Sequence, residues 1–177
     1  MNYQIYFQKA SLKSYISLQV VVAFGLFILA LLESALATFD LFLFGVPFVT
    51  FAIFYILTIF YPLALPLVSI FLITILMDIF LTSLQQSQTF AILISLLLVK
   101  RLLVFPEQKE FIEIWQGFGV AMAVMIALQA VFFMLWELRF VNIQGLFFQF
   151  GITMLFYPFI HVVVMRVAQA FAASASR

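Results

Sequence analysis

The chain contains no cysteine, a single histidine and very little charge. Without cysteine there is no disulfide and no thiolate for metal or redox chemistry. With His161 alone, a multi-histidine metal site is excluded. Charged residues make up 8% of the 177, against about 25% in an ordinary soluble domain. The 8 basic and 7 acidic side chains leave a net charge of +1. They are too few and too scattered to track phosphates, so no nucleic-acid partner is expected. Reactive motifs are missing too: there is no glycine-rich phosphate loop, no Gly-x-Ser-x-Gly elbow and no His-Glu-x-x-His. No cofactor, no catalytic residue and no enzymatic activity are expected.

What the chain does have is apolar surface. It is 67% hydrophobic with 25 phenylalanines, and its mean hydropathy is +1.27. A domain of this size leaves much of its surface exposed, and only lipid makes that composition a reasonable one. The expectation is an all-α integral membrane protein, one domain over 1–177, with six transmembrane helices in a compact bundle. The apolar runs place the spans at about 16–38, 44–61, 63–83, 89–105, 111–136 and 145–167. The connections between them are short, and none is large enough to fold alone. The segment 3–15, which mixes aromatics with Lys9 and Lys13, reads as an interfacial lead-in. Ala35-Leu36-Ala37 has the small-residue spacing of a signal-peptidase site, but the run before it is long and contains Glu33, so an uncleaved span is expected.

Basic residues resist translocation and so orient the bundle. With both termini in the cytoplasm, Lys9, Lys13, Lys100, Arg101, Lys109, Arg166 and Arg177 all lie inside, and only Arg139 lies outside. An odd number of spans would divide these groups between the two sides. The fifth span carries tryptophans at both ends. Trp115 and Trp136 are 21 residues apart, roughly 31 Å along a helix and close to the hydrocarbon thickness. Both are expected to anchor at the interfaces. The fourth span is short before Lys100 and Arg101, which can serve as interface anchors by snorkelling.

Polar residues inside a bilayer are expensive, so each needs a reason. Glu33 and Asp78 both fall near the outer ends of their spans. They read either as contacts to a partner or outer pocket, or as groups that reach headgroup water or cap a neighbouring backbone. Gln129 and Gln149 are neutral polar groups in the fifth and sixth spans, and His161 reads more readily as a helix–helix hydrogen-bonding group than as a proton relay. Gly119, Ala123 and Ala127 form a small-residue seam at four-residue spacing, where another helix can approach closely. Pro47 falls in the first turn of the second span, where it is tolerated. Pro158 removes a backbone donor from the sixth span, so a kink is expected there.

Two local patterns point to a family. Tyr61-Pro62-Leu63-Ala64-Leu65-Pro66 leads into an apolar helix ending Leu76-Met77-Asp78-Ile79-Phe80, followed by a short polar turn and a helix with basic residues at its end. The last span reads Phe156-Tyr157-Pro158-Phe159 and runs on to Val164-Met165-Arg166-Val167. In length, helix number and these motifs the chain resembles the bacterial rod shape-determining MreD family. The match is divergent: Ile73, Thr74 and Thr82-Ser83-Leu84 stand where the family commonly carries glycines or a Gly/Ser-rich turn. The resemblance implies a non-enzymatic scaffold of the cell-wall elongation machinery in the bacterial cytoplasmic membrane. Its implied partners are an MreC-like protein and, through it, a RodA-type glycan polymerase, the elongation transpeptidase and MreB. It also implies a six-helix fold similar to the substrate-binding subunits of energy-coupling-factor transporters. The alternative is therefore a membrane subunit that binds a small, vitamin-type substrate.

Overall fold

A computed structural model of the chain describes residues 12–37, 46–61, 65–80, 88–102, 110–137 and 143–175. These form six α-helices, with no strand among the described residues: α1 (Leu12–Ala37), α2 (Val49–Phe60), α3 (Leu67–Phe80), α4 (Gln88–Leu102), α5 (Phe111–Glu137) and α6 (Ile143–Ala175). Two stretches, Phe111–Leu135 in α5 and Ile143–Ala168 in α6, are long and apolar enough to cross a membrane. Shorter apolar runs lie in α1, α2 and α3, at Gln19–Glu33, Val49–Phe60 and Leu67–Ile79. The lead-in expected over 3–15 falls mostly outside the described residues.

The innermost helix is the shortest. Nine of the 12 residues of α2 are buried, including Phe51, Phe54, Tyr55 and Ile56. Its sequence, VTFAIFYILTIF, is apolar around the whole circumference, as a helix enclosed by others must be. No large hydrophobic side chain of α2 is exposed, whereas all five other helices turn such residues outward: Phe24 on α1, Val68 on α3, Phe90 on α4, Leu135 on α5 and Phe147 on α6 are each more than 60% exposed. Exposed apolar faces around an apolar core are unfavourable in water and suited to lipid.

Aromatic rings join α2 to α5 and α6. Tyr157 stacks on Phe118 with centroids 4.2 Å apart, and Tyr55 meets both rings edge-on at 5.3 and 6.0 Å. The Tyr55 hydroxyl donates to the Ile114 carbonyl at 2.8 Å, which satisfies a phenol that would otherwise be buried bare. These contacts also fix relative directions. Phe48 meets Thr153 and Phe60 meets His161, so α2 and α6 run parallel. Phe111 meets His161 while Trp115 meets Met154, so α5 runs against α6.

The helix limits differ from the expected spans in two instructive places. The second span was expected from residue 44, with Pro47 in its first turn. Helix α2 instead begins at Val49, after a non-helical Val46–Phe48 stretch. Proline disfavours helical geometry in the residue before it, so Pro47 delays the helix rather than opening it. The sixth span was expected to end near 167, but α6 continues to Ala175. Its 33 residues extend roughly 50 Å, well beyond a bilayer core. The helix also runs through Pro158 without interruption.

Candidate functional site

Helix α2 starts with bare backbone. The first N–H groups of any helix have no intrahelical acceptor, and Phe48 at the N-cap has no side chain that can supply one. Two residues from other helices supply acceptors instead, and a third donates to a carbonyl just before the helix. Glu33, late in α1, accepts the Thr50 N–H on Oε1 at 3.1 Å. Thr153 of α6 accepts the Phe48 N–H on its hydroxyl at 2.9 Å and donates its own proton to the Gln149 carbonyl at 2.7 Å. Gln149 donates from Nε2 to the Val46 carbonyl at 2.9 Å. Non-helical backbone among apolar helices is tolerated only where protein groups satisfy it, and here α1 and α6 provide them. The carboxyl of Glu33 also sits at the positive end of the α2 dipole, where negative charge is favoured.

Beside this junction is a small cavity of about 20 Å³, lined by Glu33, Thr50 and the apolar Phe48, Phe51, Met77, Ile92 and Met125. It is large enough for one water molecule. The Thr50 hydroxyl is buried here without a protein hydrogen-bond partner.

Asp78 makes a second junction of the same kind. It lies in the last turn of α3, and its Oδ2 accepts both the backbone N–H of Thr89, at 3.3 Å, and the Thr89 hydroxyl. Thr89 is the second residue of α4, so an acid on one helix again caps the start of the next. Asp78 is not among the residues lining the cavity at Glu33. Lys100 and Arg101 are exposed at the other end of α4, in its last turn, where cations complement the dipole.

The remaining residues singled out from the sequence take varied places. Trp115, expected to face an interface, is only partly exposed and donates its indole N–H to the Met154 carbonyl at 3.1 Å. Of Trp136 only the backbone, near the end of α5, is described. Within the small-residue seam, Gly119 makes the close approach: a Cβ there would sit 3.0 Å from the Met154 methyl. Ala123 and Ala127 are exposed and line an open apolar cleft of about 280 Å³ between α5 and α6, facing Leu146, Phe147 and Phe150. The two helices therefore touch at Gly119 and splay apart towards Ala127.

His161 was expected to hydrogen-bond across helices. Its ring instead packs among Phe60, Phe111 and Tyr157 at centroid distances of 5.5, 5.3 and 5.8 Å, and Nδ1 is buried without a protein partner. The Gln129 carbonyl oxygen and the Tyr157 hydroxyl are buried in the same state. Among the described residues, no group of three or more His, Cys, Asp or Glu is placed to hold a metal ion.

The acids stand out in the sequence, but their partners do not. Thr50, Thr89 and Thr153 look like unremarkable threonines in apolar helices, and only the fold shows that each meets a bare helix end. Comparison with protein-family models, with curated proteins and with solved structures finds no match to this chain.

Proposed function

We propose that this protein is a multi-pass scaffold of the bacterial cytoplasmic membrane, with both termini inside, acting in cell-wall elongation as the MreD resemblance implies. The observation that carries the scaffold reading is the use made of Glu33 and Asp78. Each caps the first turn of a neighbouring helix. The acids best suited to proton or ligand chemistry are thus engaged in holding the bundle together. The outward faces are broad and apolar, suited to other transmembrane helices. The alternative, a subunit binding a vitamin-type substrate, is less well supported. Such sites usually enclose about 300–1,000 Å³ with convergent polar groups, whereas the cavity at Glu33 holds about 20 Å³ and the larger cleft is almost wholly apolar.

Affinity purification in mild detergent tests the proposal. An MreC-like protein is expected to co-purify, and depletion is expected to turn rod-shaped cells round. Isolation free of every elongation component, from cells whose shape ignores its loss, would overturn it. Thermal stabilisation by a vitamin at micromolar concentration would transfer the assignment to the transporter reading.

A further inference from the structure

Pro158 leaves a specific atom bare. A proline has no N–H, and its ring crowds the carbonyl four residues earlier, so that carbonyl loses its intrahelical donor and is pushed off the helix axis. In α6 the affected carbonyl belongs to Met154. It is this oxygen, across the helix interface, that receives the indole N–H of Trp115 at 3.1 Å. We propose that Trp115 replaces the hydrogen bond that Pro158 removes, so that α5 completes the backbone ladder of α6 and the two helices are locked together at this level.

Three features of the contact support a lock rather than a chance meeting. The donor is of the right kind: indole nitrogen only donates, so it cannot compete for the N–H groups of α6. The geometry is maintained from both sides, because Gly119, one turn after Trp115 on α5, has no side chain and lets the Met154 methyl close to within 3.0 Å of where a Cβ would stand. The location makes the bond matter, since a carbonyl partly buried between two helices has few other donors to turn to. The contact lies at the apex of the cleft lined by Ala123, Ala127, Leu146 and Phe150. Sliding α6 along α5 would break the bond, whereas spreading of the cleft beyond it would not.

The dependence of one residue on the other gives the test. Ala at 158 restores a backbone N–H that can reach Met154 within the helix, so the indole should become dispensable in that background. Four full-length chains are compared by thermal unfolding in detergent: wild type, Trp115→Phe, Pro158→Ala and the double variant. Trp115→Phe is expected to lower Tm by about 2–4 °C, the shift that corresponds to one net hydrogen bond in a chain of this size. In the Pro158→Ala background the same change is expected to lower it by less than half as much. Equal losses in both backgrounds, or no loss in either, would overturn the proposal, because Trp115 would then act by packing alone or not at all. Replacing Trp115 with benzothienylalanine keeps the bicyclic shape and removes only the donor. If Trp115→Phe does not fold, this chain is put through the same comparison, and the same two outcomes decide.

Discussion

A carboxylate that meets the start of a neighbouring helix is worth more among apolar helices than at an exposed surface, because no water stands ready to replace it. Asp78→Ala leaves the Thr89 N–H and hydroxyl without their acceptor. It is expected to lower folding stability by about 1–2 kcal/mol, measured by denaturant titration in detergent. Thr89→Val should cost less, and the double variant little more than Asp78→Ala alone, since both remove the same junction. A change in partner assembly without any loss of stability would show that Asp78 acts mainly outside the bundle. For Glu33 the acceptor matters more than the charge. Glu33→Gln keeps an oxygen for the Thr50 N–H and should retain most of the stability, while Glu33→Ala should lose about 1–2 kcal/mol. The two acids were legible in the sequence because charge within an apolar run is conspicuous. Their threonine partners were not, because a threonine signals nothing until the fold decides which helix end lies beside it.

At the level of helices, the sequence showed where apolar runs occur but not how far each is helical. The second run looked long enough to start at residue 44, but Pro47 and the tight turn at Phe48 keep the chain out of the helix until Val49. The polar atoms of Gln149 and Thr153 then make that delay affordable. Gln149→Leu leaves the Val46 carbonyl bare, and Thr153→Val leaves the Phe48 N–H bare. Each is expected to destabilise the bundle by about 1–3 kcal/mol. Faster hydrogen exchange in the first turn of α2 is the local reading that distinguishes this from a general loss of packing. Trp115 and Pro158 show a different limit of sequence reading. Taken singly, one is an interface tryptophan and the other a helix breaker. Their relation depends on α5 and α6 crossing at Met154, and pattern alone does not reveal that crossing. Gly119 belongs to the same crossing. Gly119→Leu drives a branched side chain into the Met154 methyl, and should lower stability by about 1–3 kcal/mol. Gly119→Ala should be tolerated, because the far end of a flexible methionine can yield.

For the molecule as a whole, composition told more than any motif. The buried central helix and the outward apolar faces of the other five follow from a chain in which 67% of residues are hydrophobic and 8% charged. Proposed topology is open to a direct check, because the absence of cysteine means that any introduced thiol is the only one present. Ser176→Cys should react with a membrane-impermeant maleimide only after the cytoplasmic side is opened, and Asn142→Cys should react in intact spheroplasts. Labelling of Cys at 176 from outside would invert the arrangement or change the number of crossings.

The entry to α2 also has a bearing on how the protein is made. The groups that satisfy Val46 and Phe48 lie 103 and 105 residues further along the chain. When α2 leaves the ribosome, Glu33 is already in place for Thr50, but the partners of Val46 and Phe48 have not yet been synthesised. A nascent chain halted before Gln149 therefore carries two unsatisfied peptide groups at the beginning of its central helix. Helix α6 settles the entry of α2, so the bundle can close around its central helix only after Gln149 and Thr153 have been translated.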